Sequence, residues 1–132
     1  MTTNTRTLFT GAALLLSLAA CAPGPEVQVT DLSPQHYAPT SLIEALTAAP
    51  SRPYTVIAGL RIEGSPGTDR AQLLARLRQK AAALGANAII IHDESRTLPP
   101  SVNYNPSGGN YQAQGPQTIP ILSAEAIRWK QP

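Results

Sequence analysis

Apolar residues recur with a helical period in the middle of the chain. Leu73, Leu77, Ala81 and Leu84 stand at i, i+4, i+8 and i+11, with Leu74 beside them. Arg70, Arg76, Gln79 and Lys80 fall largely away from that stripe. Asp69 stands where an N-cap belongs, and Gln72, three residues on, occupies the capping-box position. Gly85 follows the last stripe residue and suits the left-handed position that ends many helices. Ala81, Ala82 and Ala83 keep the last turns slim enough to approach a sheet closely.

After Gly85 the period changes. Ala88-Ile89-Ile90-Ile91 is apolar without alternation, which predicts a strand buried on both faces. Tyr54 to Glu63 does alternate. Tyr54, Val56, Ala58, Leu60 and Ile62 are predicted on one face, and Thr55, Gly59, Arg61 and Glu63 on the other, with Ile57 the apolar exception. Ala124 to Trp129 alternates as a closing strand. Residues 41–48 fit either a short helix begun at Thr40 or Ser41, or an edge strand before Pro50 and Pro53. Leu98 to Pro120 is rich in Pro, Gly, Asn, Gln and Ser, holds Tyr104 and Tyr111, and predicts a long mobile loop. The elements add up to an α+β fold: a small β-α-β-β domain, one main helix packed on a three- to four-stranded sheet. The strand–helix–strand unit predicts a crossover between parallel strands. One helix covers one face of a sheet, yet Ile89-Ile90-Ile91 sends side chains to both. The other face then needs either a second chain, identical or not, or the fold-back of residues 34–53.

The first 20 residues follow a different logic. Arg6 supplies a short positive region, and Leu8 to Leu18 form an apolar stretch too short to span a bilayer. The stretch ends in Leu18-Ala19-Ala20-Cys21. This resembles the lipobox of bacterial lipoproteins: Leu, a small residue, Ala or Gly, then Cys. The resemblance implies that residues 1–20 are a cleaved signal peptide, with Leu18, Ala19 and Ala20 forming the processing site. Cys21 is then the lipidated first residue of the mature chain. One acyl chain holds a protein only marginally, whereas the two or three of a mature lipoprotein hold it almost permanently. Ala22, in place of the Asp associated with inner-membrane retention, implies the outer membrane of a Gram-negative envelope, facing the periplasm. The expected layout is signal peptide 1–20, lipidated cysteine and linker 21–38, and a small α/β domain 39–132 with a disordered loop at about 98–120.

Charge adds little to this picture. The full chain has 10 Lys and Arg against 8 Asp and Glu. Removing residues 1–20 removes Arg6 and leaves the mature chain near neutral, so no field to steer nucleic acid is expected. With 1 cysteine no internal disulfide can form.

His92-Asp93-Glu94 is the only dense polar cluster, and a His with two carboxylates suits metal binding or acid–base work. Adjacent strand residues point in alternating directions, however, and the other histidine, His36, lies far away in sequence. The cluster reads better as a strand-terminating turn. No nucleophile motif appears, and no phosphate-binding glycine pattern precedes the helix.

The run Lys80-Ala81-Ala82-Ala83-Leu84-Gly85-Ala86-Asn87-Ala88-Ile89-Ile90 after the strand Tyr54–Gly59, with Ala124–Trp129 closing, resembles YbjQ-like proteins and the Rcs-type envelope stress-sensor lipoprotein. That resemblance implies a binding, scaffold or stress-signalling role in the cell envelope, read here as non-catalytic. YbjQ-like proteins have been labelled heavy-metal-binding by analogy, but nothing in this sequence supports a thiol metal site, so neither cofactor nor metal is expected. The resemblance also implies a homo-oligomer or an envelope protein as partner beside the membrane. The stress sensor uses disulfides, which this domain lacks. The alternative is a small periplasmic hydrolase or metal-binding protein using His92-Asp93-Glu94.

Overall fold

A computed structural model describes residues 24–41 and 43–132. The sequence-predicted helix is α1, Arg70–Ala83. Asp69 caps it, its carboxylate accepting the Ala71 N–H at 2.9 Å. At the other end Gly85 adopts φ 82°. Its N–H reaches the Ala82 carbonyl, and the Ala86 N–H reaches that of Ala81, each at 3.0 Å. This pair of bonds closes the helix on two carbonyls of its last turn. Leu73, Leu77 and Ala81 point inward and are fully buried.

Strand dominates the rest. The described residues hold nine strands in three sheets: β1 (Gln28–Asp31), β2 (Glu44–Leu46), β3 (Tyr54–Glu63), β4 (Ala88–Asp93), β5 (Arg96–Leu98), β6 (Ser101–Asn105), β7 (Asn110–Gln114), β8 (Gln117–Ile119) and β9 (Ile121–Trp129). The expected α+β arrangement, a β-α-β-β domain with one helix on three or four strands, is therefore not the one formed. The main sheet has five strands in the order β1-β3-β9-β4-β2, and two further two-stranded sheets extend from it. The expectation fell short because β1 and β2 are short and hold no fully buried residue, and β5 to β8 have no buried face, so neither set leaves an apolar run in the sequence. Segment 41–48, open between helix and strand, supplies β2, parallel to β4. Part of the expected linker supplies β1, antiparallel to β3.

β3 and β4, joined through α1, run parallel but are not neighbours. β9 lies between them and pairs antiparallel with both. The closing strand is thus the centre of the sheet. Two layers of core follow. Under the helix lie Ala58, Leu60, Ile62, Ile89, Leu122, Ala124 and Ala126, with Leu73 and Leu77 above them. On the opposite face Ala88, Ile90 and Ile127 are buried among Leu46, Tyr54, Val56 and Trp129.

The alternation expected along β3 is broken at one point. Val56 pairs with Ile127 and Ala58 with Ala126, leaving Ile57 as an extra residue on its strand. An inserted residue reverses the facing of everything beyond it. Tyr54 and Val56 therefore pack on the face away from the helix, while Ala58, Leu60 and Ile62 pack beneath it. Ile57 joins the helix-side core too, which explains the apolar exception in the pattern.

The segment expected as a loop, 98–120, is paired. Asp93 stands opposite Leu122, Arg96 opposite Ile119, Leu98 opposite Gln117, Ser101 opposite Gln114 and Asn105 opposite Asn110. Every step outward on one strand is matched by one step on the other. β4–β5–β6 and β7–β8–β9 are thus the two legs of one hairpin in unbroken register, interrupted by Pro99-Pro100, Gly115-Pro116 and Pro120. At about 3.3 Å per residue the part beyond the main sheet reaches roughly 40 Å. Its tip, Pro106-Ser107-Gly108-Gly109, turns with Gly109 at φ 63° and the Gly109 N–H on the Asn105 carbonyl at 2.9 Å.

Candidate functional site

The residues named for processing and lipidation, Leu18, Ala19, Ala20 and Cys21, lie outside the described residues. The first described stretch is held close to the body. Arg76 Nη1 donates to the Pro25 carbonyl at 2.9 Å, and the same guanidinium lies against Gly24. Val27 and Val29 pack at the edge of the helix-side core.

His92 and Asp93 end β4, Glu94 follows it, and the alternation of the chain parts the three. His92 faces away from the helix, opposite Ser123, in a shallow groove with Gln28, Thr30, Arg61 and Glu125. Asp93 points to the helix side and pairs with Arg70 Nε at 3.2 Å. Glu94 returns to the open face, where it accepts the Ser123 hydroxyl at 2.7 Å and meets Arg61 Nε at 3.5 Å. Arg61 also approaches Glu63 at 3.8 Å, and Glu63 meets Arg96 at 3.3 Å. The carboxylates are thus engaged as ion-pair partners that tie the root of the hairpin extension to β3 and to the start of α1. Their side chains are 41–61% exposed, so each pair contributes only a few tenths of a kcal/mol. His36 sits beside Ala83 and Leu84 at the C-terminal end of the helix, away from His92. Among the described residues no three His, Cys, Asp or Glu side chains gather where a metal could be held.

The surroundings of Asp93 displace its titration. The Ser95 hydroxyl and backbone N–H, and then Arg70, hold its carboxyl below the usual 3.8. The same hydroxyl oxygen accepts the Ile121 N–H at 3.1 Å. A carboxyl lowered in the folded state stabilises above its unfolded pKa, and that contribution fades as pH falls through the folded value. Asp93→Asn should therefore cost a little stability near neutrality and nothing under strongly acidic conditions. Urea midpoints of the soluble chain at about pH 7 and about pH 2 check this. An equal loss at both would assign the effect to the turn and not to the charge.

The most conspicuous surface lies in the segment expected as a mobile loop. Val102, Tyr104 and Tyr111 are 66%, 56% and 75% exposed. All three sit on the β6–β7 ribbon, where Tyr104 pairs with Tyr111 and Val102 with Ala113. The tyrosine rings contact each other at 5.2 Å between centroids, tilted by 52°. The other face carries Ser101, Asn103, Asn105, Asn110, Gln112 and Gln114. No charged residue occurs from Thr97 to Ala124. The alternations Val-Asn-Tyr-Asn and Tyr-Gln-Ala-Gln were present in the sequence, but composition hid them among prolines and glycines.

No protein-family model, no curated protein and no solved structure matches this chain.

Proposed function

We propose that the protein is a lipid-anchored component of a bacterial outer membrane, facing the periplasm, that acts by binding or scaffolding and not by catalysis. Cys21 carries the lipid and Leu18-Ala19-Ala20 directs its processing. The observation that carries the reading is the apolar stretch Leu8–Leu18 running directly into Leu18-Ala19-Ala20-Cys21. The geometry of the polar cluster agrees with a non-catalytic role. His92 and Asp93 lie on opposite faces of β4, and Glu94 and Asp93 are each already bound to an arginine. The ribbon, by contrast, offers an exposed aromatic and amide surface of the kind that contacts partners.

Mass spectrometry of the protein from envelope fractions tests this directly. The mature N-terminus is expected at Cys21 with acyl chains attached, and Cys21→Ser should abolish acylation and release the protein from the membrane fraction. An unacylated wild-type N-terminus, or one beyond residue 21, would refute the anchor.

A further inference from the structure

The β6–β7 ribbon sits where it can meet the membrane that holds the protein. We infer that its apolar face, Val102, Tyr104, Tyr111 and Ala113, is a second membrane contact that lies in the headgroup layer of the bilayer and fixes the domain's orientation. The inference rests on the lipid anchor proposed above.

Three observations carry it. The first is the route of the tether. Pro25 is fastened to α1 by Arg76. Only Ala22, Pro23 and Gly24 separate it from Cys21, a span of about 14 Å at most. β1 then enters the sheet with Gln28 opposite Arg61, close to the end of β3. That same end is the root of the hairpin extension. Glu63 pairs with Ile121, the Gly64 N–H bonds the Pro120 carbonyl at 2.9 Å, and Arg96 pairs with Glu63. Pro25 itself lies along α1 beside Arg76, Gln79, Lys80 and Ala83, and Glu26 lies beside Glu63. A lipid on Cys21 therefore leaves the root of the extension within reach of the bilayer.

The second observation is chemical. Tyrosine has an apolar body and a polar tip, and collects where hydrocarbon meets water. Here two tyrosines and a valine are exposed together on one face of the ribbon. From Thr97 to Ala124 there is no charge, so no ion has to be desolvated where the apolar face presses against the hydrocarbon boundary. The third is the ribbon's shape. Two strands have two open edges whose N–H and C=O groups need water or headgroup partners, so the ribbon can lie at the interface but not enter the hydrocarbon core. An isolated ribbon is also marginal in water, and a surface that accepts its apolar face stabilises it.

Magnitude decides what the contact does. Acyl chains contribute about 0.8 kcal/mol per buried CH₂, so a multiply acylated cysteine already holds the protein on the membrane. Three side chains add little to residence. Behind so short a tether, however, a weak contact acts at high effective concentration and suffices to select an orientation.

The test uses the acylated full-length mature protein in vesicles of phosphatidylethanolamine and phosphatidylglycerol, at a high ratio of lipid to protein. Hydrogen exchange of residues 101–114 is expected to slow severalfold relative to the unlipidated Cys21→Ser protein. A Tyr111→Trp reporter, with Trp129→Phe to remove the native tryptophan, is expected to be quenched by lipids brominated along the acyl chain near the headgroup. The combined Val102→Ser, Tyr104→Ser, Tyr111→Ser variant should keep its melting temperature and acylation, yet lose the exchange protection. An acylated protein whose ribbon exchanges freely and whose reporter is unquenched overturns the inference and leaves the anchor standing. Protection that rises with protein density on the vesicle, and not with lipid, overturns it in favour of a second copy. Protection that appears only when another envelope protein is added overturns it in favour of that protein. An unacylated N-terminus overturns both readings together.

Discussion

Gly85→Ala is expected to cost about 3 kcal/mol or more, whereas Gly67→Ala should cost only about 1 kcal/mol. Both glycines have the same left-handed backbone, at φ 82° and 84°. A side chain at either position pays for that conformation. The surroundings then separate them. A Cβ on Gly67 meets nothing within 4 Å. A Cβ on Gly85 would stand 2.5 Å from the Tyr37 Cβ, 2.7 Å from the Ala38 carbonyl oxygen and 3.1 Å from the Tyr37 carbonyl carbon. Backbone cannot swing aside as a long side chain can, so the segment around Tyr37 has to move. That segment is tied down at several points. The Thr40 N–H reaches the Ala82 carbonyl at 2.9 Å, the Thr40 hydroxyl donates to the Ala86 carbonyl, and Arg128 stacks on Tyr37 at 4.3 Å. Moving it also exposes the edge of the helix-side core, which Tyr37 and Ile43 cover. At about 4–8 °C per kcal/mol for a small domain, melting should fall by roughly 5 °C for Gly67→Ala and 15 °C for Gly85→Ala. Equal shifts would show that residues 37–40 do not rest on the end of the helix.

Ile127→Ala should destabilise by about 2–5 kcal/mol, as loss of a fully buried branched side chain does. The residue lies on β9, on the face away from the helix, and is 0% exposed. Its neighbours are Ala88, Ile90, Leu46, Tyr54, Val56 and Trp129, all from the same chain. The sequence left open whether a second chain or residues 34–53 cover this face. Around Ile127 and Ile90 the covering comes from Leu46 and from the residues flanking the break in β3. Arg52 adds its guanidinium over the Trp129 ring at 4.9 Å. The loss should therefore be the same at all protein concentrations when residues 22–132 are unfolded in urea. A midpoint that drops on dilution, in wild type and not in the variant, would mean that a partner copy buries this face instead.

The sequence by itself determined the local features. Asp69, the Leu73–Leu77–Ala81 stripe and Gly85 specify a helix and both its ends, because capping and period are properties of neighbouring residues. The unbroken Ile89-Ile90-Ile91 run likewise required two buried faces, and the sheet supplies one core on each. Tertiary structure decided the rest. Nothing near Ala124 reveals that β9 inserts between β3 and β4, since its partners lie tens of residues away in the chain. The reversal of facing at Ile57 depends on the strand opposite, so alternation read along one strand cannot locate it. The ribbon was least legible. Both its faces meet solvent, which removes the contrast between buried and exposed positions on which periodicity relies. Its register is inherited from the buried β4–β9 pair at its root, and only the folded sheet aligns Tyr104 with Tyr111 to make the exposed aromatic surface.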